Sequence, residues 1–161
     1  TIAAIASAVD IPVFANGDID SPTKAARVLD YTGADAVMVG RAAQGNPWIF
    51  REIDHYLRHG QPFAPPGRAE RAEVLGDHLA ALHDFYGEHM GVRIARKHLG
   101  WYLAEDERFD DAGRRALRAT FNGLESRQAQ RRFIEELFRH DPAATPDRVA
   151  RAVTSDGICA A

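Results

Sequence analysis

Two short runs in the first quarter of the chain carry residue types suited to holding a phosphate. Asn16-Gly17-Asp18 closes the apolar run Ile11-Pro-Val-Phe-Ala15, and Gly40-Arg41 closes Ala34-Asp-Ala-Val-Met-Val39. A phosphate needs several N–H donors converging from one side, and glycine permits both the backbone angles and the close approach. Gly17 and Gly40 are expected to meet that need, and Arg41 adds a permanent positive charge beside the anion. Asp18 suits such a site only if its carboxylate turns away and its N–H faces the ligand; otherwise it merely solvates the loop. One such loop is most simply a turn. Two at the ends of adjacent strands, the second followed by arginine, point to flavin or sugar-phosphate binding.

A second constellation lies further along. Arg93, Arg96 and Lys97 stand at i, i+3 and i+4 of a helical pattern from Gly91 to Ala104, so they are expected to share one face, with His98 beside them. Three cations on one face suit a phosphodiester backbone, although a charge run is usually only a solvated helix face. Trp101 and Tyr102 could stack on bases, but aromatic residues at helical spacing more often belong to a core. His98 could reach a phosphate or a base, or be a satisfied histidine between helices. No metal site is expected, because no cysteine or carboxylate completes a ligand set around His78 and His83. Cys159, the single cysteine, falls in the small-residue tail Thr154-Ser-Asp-Gly-Ile-Cys-Ala-Ala161 and is expected to be a bystander.

The elements that would position these residues are legible from periodicity. Ile2, Ile5 and Val9 fall at helical spacing until Pro12, after which Val13-Phe14-Ala15 predicts a buried strand. Ser21 as N-cap, Pro22 as first helical residue and Gly33 as stop predict a helix burying Ala25, Val28 and Leu29. Ala36-Val37-Met38-Val39 predicts a second strand, apolar on both faces and so covered on both sides. Asn46 as cap and Pro47 as first residue predict a further helix carrying Trp48, Ile49, Ile53, Tyr56 and Leu57, stopped by Gly60. This is a β-α-β-α arrangement with parallel strands joined by a crossover.

Gln61-Pro-Phe-Ala-Pro-Pro-Gly67 has no periodicity and predicts a linker over 61–67, leaving 1–60 as the strand-containing part. Beyond it, the stripes Leu75/Leu79/Leu82/Tyr86, Val92/Ala95/Leu99/Tyr102, Leu117/Phe121/Leu124 and Phe133/Ile134/Leu137/Phe138 predict a four-helix bundle over 68–140. Pro142 and Pro146 are expected to end the last helix, and 141–161 to form a disordered tail. At 161 residues, 45% hydrophobic, the chain can bury a core, and its net charge of −3 argues against indiscriminate nucleic-acid binding. Its longest uncharged apolar run, Ile2 to Val9, is too short to span a bilayer, and no charged-then-apolar leader opens it. A cytoplasmic monomer with no membrane partner is expected.

Taken together, Ile11-Pro-Val-Phe-Ala-Asn-Gly-Asp-Ile19, Tyr31-Thr-Gly-Ala-Asp-Ala-Val-Met-Val-Gly-Arg-Ala-Ala-Gln-Gly-Asn-Pro-Trp-Ile-Phe50 and Arg93-Ile-Ala-Arg-Lys-His-Leu-Gly-Trp-Tyr102 resemble the tRNA-dihydrouridine synthases, most closely the bacterial B-type subfamily. The resemblance runs from about residue 1 to residue 140. It implies an α/β plus all-α architecture: the last two β/α units of a TIM (β/α)8 barrel, then a C-terminal helical bundle. It also implies an FMN-dependent oxidoreductase that reduces the C5–C6 bond of particular uridines in tRNA, with NADPH reloading the flavin. On this resemblance Asn16, Gly17, Asp18, Gly40 and Arg41 would hold the FMN phosphate. Arg93, Arg96, Lys97 and His98 would grip tRNA. The implied mechanism is hydride transfer from reduced flavin to C6 of uracil, with a cysteine donating a proton to C5.

That cysteine and a flavin-contacting lysine belong to barrel loops upstream of Thr1, and Cys159 matches neither position. An eight-stranded barrel needs roughly 200 residues or more, whereas two strands precede the linker. The chain is therefore expected to be the C-terminal part of a longer enzyme, without a catalytic residue of its own and inactive alone. Two alternatives are a non-catalytic RNA-binding helical module and an FMN-barrel oxidoreductase acting on a small molecule.

Overall fold

In the computed structural model, which describes residues 1–139 and Val149, strands β1 (Phe14–Asn16) and β2 (Ala36–Met38) pair in parallel. Phe14 lies opposite Ala36, Ala15 opposite Val37 and Asn16 opposite Met38. Asp35 sets this register: its carboxylate accepts the Val13 N–H at 2.7 Å while its own N–H donates to the Val13 carbonyl at 2.9 Å. Side chains alternate across a strand, so Phe14 and Met38 share one face and Ala15 and Val37 the other. Ala15 is fully buried and Val37 packs on the core, whereas Phe14 is 66% and Met38 57% exposed. The expectation of cover on both sides is corrected: within this unit one face of the sheet is packed and the other is open.

The crossover is helix α2 (Pro22–Thr32), which follows the short helix α1 (Ile2–Ala6). Ser21 caps α2 by accepting the Lys24 N–H at 3.4 Å, a contact of about 1 kcal/mol. Pro22 occupies its first turn, and Gly33 ends it at φ 64°. Helix α3 (Ile49–His59) ends likewise at Gly60, φ 68°. Its start differs from the sequence reading. Trp48 is the cap, and Asn46 contributes its backbone carbonyl, 3.4 Å from the Ile49 N–H, rather than its side chain. Helix α1 is also shorter than the spacing of Ile2, Ile5 and Val9 suggests. It stops at Ala6, with the Ser7 hydroxyl donating back to the Ala3 carbonyl at 2.8 Å, and Ile5 and Val9 are exposed. Ile19, Ala25, Ile49 and Ile53 form the core of this first unit, Thr1–Pro65.

The second unit begins at Pro66. Its longest element, α4 (Arg68–Ala104), is broken at Gly87, where φ 73° and ψ 169° lie outside helical values. Two arms result, 68–86 and 88–104. His83 meets Gly91, and His78 meets both His98 and Tyr102, so partners recede from the break on both sides as in an antiparallel hairpin. Gly91 allows the close crossing: a Cβ there would lie 2.7 Å from the His83 Cα. Helices α5 (Asp111–Asn122) and α6 (Arg127–Arg139) follow in the same unit. Asp110 caps α5 through the Gly113 N–H at 2.8 Å, and Glu88 accepts the Arg127 N–H that opens α6.

The core runs through Leu75, Leu79, Leu99, Leu117, Phe121 and Phe133, each worth roughly 1.5–3 kcal/mol when removed from water. Tyr86, placed on a buried stripe by its spacing, is 48% exposed, because the chain turns at Gly87 before that stripe can continue. Val149, placed by the sequence in a tail, is fully buried in this core, where its apolar side chain is shielded from water. Cys159, Pro142 and Pro146, with the rest of the proposed tail, lie outside the described residues.

Candidate phosphate groove and basic helical face

The two glycine-centred loops leave the same ends of β1 and β2 and meet. Asn16, Gly17, Asp18, Gly40 and Arg41 line one open groove, with Ile19, Asp20, Lys24 and Ala42. The backbone does not use its glycines as the sequence suggests. Neither Gly17 nor Gly40 adopts a positive φ; the left-handed residue is Asp18, at φ 47°. Aspartate tolerates that region better than most residues do, because its short side chain can bond locally. Gly40 lies at φ −105° and ψ −106° and opens the turn Arg41–Ala43. A Cβ at either glycine would meet no atom of the described residues within 4 Å. The bare backbone therefore faces space rather than packing, and a phosphate oxygen could approach the amides there.

Two ion pairs flank this groove. The Asp18 carboxylate accepts from the Arg41 guanidinium, and both side chains remain largely exposed. Asp18 thus turns its charge onto Arg41, whose five N–H donors leave capacity for an anion. Lys24, in the first turn of α2, pairs with Asp20 at 3.1 Å. That bond, above all, holds the Asp20 carboxyl below its ordinary range. Asn16 donates from Nδ2 to the Met38 sulfur at 3.5 Å, a weak bond that leaves its carbonyl oxygen open.

The residues of the predicted basic face separate in the second unit. Arg93 and Lys97 are exposed on the arm 88–104. Arg96 is not: it is half-buried, donates to the Leu124 carbonyl at 3.2 Å and has its Nε buried without a partner. Its position, 60° round the helix from Arg93, turns it toward the segment joining α5 to α6. The shared face therefore holds two exposed cations rather than three. Lys97 stands 4.7 Å over the Trp101 ring, a cation–π contact. His98 is half-buried, edge-on to His78 at 4.7 Å and to Trp101 at 4.9 Å. Burial, then the charges of His78 and Lys97, lower its pKa, so near neutral pH it offers an uncharged ring rather than a cation. Burial likewise lowers His78, whose Nδ1 lies 3.2 Å from the Tyr102 hydroxyl.

The sequence profile described as Dihydrouridine synthase (Dus) matches residues 1–141. The chain belongs to the dihydrouridine synthase family. It is 58% identical over 138 residues to tRNA-dihydrouridine synthase B of Pseudomonas aeruginosa, a match covering 86% of this chain and 40% of that protein. Against the Shewanella oneidensis tRNA-dihydrouridine synthase B the identity is 54%, covering 86% and 41%. Against that of Xanthomonas axonopodis pv. citri it is 51% over 152 residues, covering 94% and 44%. The chain spans about two fifths of the length of the curated relatives it matches.

In this dihydrouridine synthase chain, sequence reasoning missed Lys24 and Asp20 as groove residues. The signal was present: a helix that starts directly after a loop carries its first turn at that loop's end of the strands, so Ser21-Pro22-Thr23-Lys24 could have been placed beside Gly17. Chemically, the groove offers backbone amides, one arginine and one lysine against two carboxylates, each tied to a cation. No group of three or more His, Cys, Asp or Glu suited to a metal occurs among the described residues.

Proposed function

We propose that this chain serves a tRNA-dihydrouridine synthase, an FMN-dependent oxidoreductase that reduces uridine in tRNA to 5,6-dihydrouridine. The observation that carries the reading is the groove. Two loops at the ends of adjacent parallel strands bring Gly17, Gly40 and Arg41 together, and none of the described residues occupies the space in front of the two glycines. Such a cradle fits a phosphate monoester like that of FMN. Gly17 and Gly40 admit its oxygens to the backbone, Arg41 neutralises it, Asp18 fixes the Arg41 fork and Asn16 borders the loop. When bound, FMN supplies two-electron redox chemistry, with NADPH as reductant.

The one-sided sheet supports the barrel reading. In a (β/α)8 barrel, helices cover the outside of the strands, and the inner face is packed by residues of the other strands. α2 and α3 pack with Val37 on one face, while Phe14 and Met38 on the other await that cover. Residues 1–60 thus act as the closing β/α units, 61–67 as the linker and 68–140 as the helical tRNA-binding domain. There Arg93 and Lys97 meet the phosphate backbone, His98 offers a neutral ring beside Trp101, and Arg96 positions the arm that bears them. The working form is a cytoplasmic monomer. The catalytic role falls outside this chain's described residues, and none of them is a cysteine.

The test is dihydrouridine mapping in tRNA from cells whose complete protein carries Gly40→Val, with flavin content of the purified protein measured in parallel. Loss of both supports the reading. Full flavin content with full dihydrouridine would remove the groove from it. Modification of a small uracil compound, with tRNA untouched, would favour an FMN oxidoreductase of different substrate.

A further inference from the structure

The second unit holds a cluster of cations that the reading above does not use. On α5, Asp111, Arg114, Arg115 and Arg118 recur at i, i+3, i+4 and i+7, which places them on one face. That face borders a small pocket whose remaining lining is Gly100, Leu103 and Ala104 at the end of the arm 88–104. Gly100 matters for what it lacks. A Cβ there would lie 3.4 Å from Arg118 Nε and 3.6 Å from its Cζ, so the guanidinium rests against nearly bare helix backbone.

The three arginines differ in commitment. Arg114 is held in place, donating to the Asp106 carbonyl at 3.1 Å and reaching Asp111 at 3.5 Å. Arg115 and Arg118 are exposed and form no ion pair among the described residues. Asp111, already engaged by Arg114, is the one carboxylate that lines the pocket. On the arm, Arg93, Lys97, Gly100 and Ala104 fall at i, i+4, i+7 and i+11, a single stripe. The stripe that begins with two exposed cations therefore ends at the arginine pocket, roughly 10 Å further along the helix from Lys97 to Ala104.

We propose that Arg115 and Arg118, over the Gly100 floor, form a second anion site of this protein and take a backbone phosphodiester of RNA. It continues the track begun by Arg93 and Lys97, and rests on the RNA-binding reading above. A lone small phosphate would need one site; two exposed cations along the arm, followed at the end of their stripe by two more on α5, match a ligand whose charge repeats. The planar guanidinium fork grips two oxygens of one phosphate, which an ammonium cannot do.

The experiment measures binding of unfractionated tRNA to the complete protein over a range of salt, with circular dichroism confirming the fold. Arg115→Gln with Arg118→Gln is expected to weaken binding roughly tenfold and to flatten the log affinity against log salt slope by about one to two. Flavin content should stay at the parent value. Arg118→Lys should keep the slope and lose part of the affinity. Should the double variant lose its fold, Arg115→Gln alone carries the same expectation at half the change in slope. Unchanged tRNA binding in the double variant, alongside weakened binding in Arg93→Gln with Lys97→Gln, overturns this site and leaves the RNA reading intact. If neither pair of substitutions alters tRNA binding, the RNA reading itself fails.

Discussion

Gly40 and Lys24 bear on the groove from opposite directions, one by absence of a side chain and the other by charge. Gly40 has open space in front of it, so Gly40→Val should fold and place two methyl groups where a phosphate would approach. The expected outcome is at least a tenfold loss of FMN affinity, about 1.4 kcal/mol or more, read by flavin titration. Lys24→Gln should cost several-fold, because it removes a cation and leaves Asp20 as an uncompensated carboxylate at the groove. A Lys24→Gln protein that holds FMN as well as the parent would show that Lys24 serves only Asp20. Both loops were legible from residue type: each strand runs into a glycine, followed by aspartate in the first loop and arginine in the second. The left-handed angle at Asp18 and the inward turn of Arg96 were not, since each depends on what the neighbouring segment offers.

At the scale of elements, the hairpin within α4 depends on two glycines for different reasons. Gly87→Ala puts a side chain at φ 73° and ψ 169°, a region open essentially to glycine alone, and should cost roughly 1–3 kcal/mol. Gly91→Ala forces a Cβ to within 2.7 Å of the His83 Cα, so overpacking of about 1–3 kcal/mol or more is expected. Urea denaturation of the two variants checks both. The same hairpin should respond to pH. Burial depresses the pKa of His78 and His98, so the unfolded chain binds protons that the folded one resists. Stability is then complete above the unfolded histidine value near 6.5 and falls as pH drops below it. Denaturation midpoints at pH 7.5 and 5.5 should differ, and His98→Phe should narrow the gap. Asp106 works at lower pH. Burial alone would raise it, but the bonds and charge of Arg108, with the charge of Arg71, outweigh that and hold it low. Its contribution is present above the unfolded value near 3.9 and lost as pH falls through the folded one. Helix positions and the stops at Gly33 and Gly60 could be read from the sequence. The two arms were legible as well, since the stripes ending at Tyr86 and beginning at Val92 predicted separate helices; the residue that joins them, Gly87 with its positive φ, was not.

For the whole molecule, the uncovered sheet face is the feature with the widest effect. Phe14 and Met38 stand diagonally across the strand pair on it, with Ile11 and Tyr31 also exposed in this unit. Two strands with unpaired edges and apolar side chains invite pairing with other copies. The 161-residue chain alone should therefore elute earlier from a sizing column as its concentration rises. Phe14→Lys with Met38→Lys should remove that dependence without disturbing tRNA binding. A concentration-independent elution volume for the unaltered chain would argue against this. The parallel strand pair and the helical region were both legible as patterns; the one-sidedness was not, since an apolar run looks the same whether one face or two are packed.

A single buried amide has a consequence for how the second unit finds its shape. Gln130 of α6, fully buried, donates from Nε2 to the Val92 carbonyl at 3.0 Å and presents Oε1 to His83 Nε2 at 2.8 Å. Because the amide nitrogen is committed to Val92, the oxygen accepts from His83, and that ring nitrogen carries the proton. Gln130 therefore tests both arms of the hairpin at once. A slip of one residue on either arm rotates the partner by about 100° and strands two polar groups in an apolar interior. The leucines around it would tolerate several alignments; this one residue admits a single alignment, acting as a key cut for a particular lock.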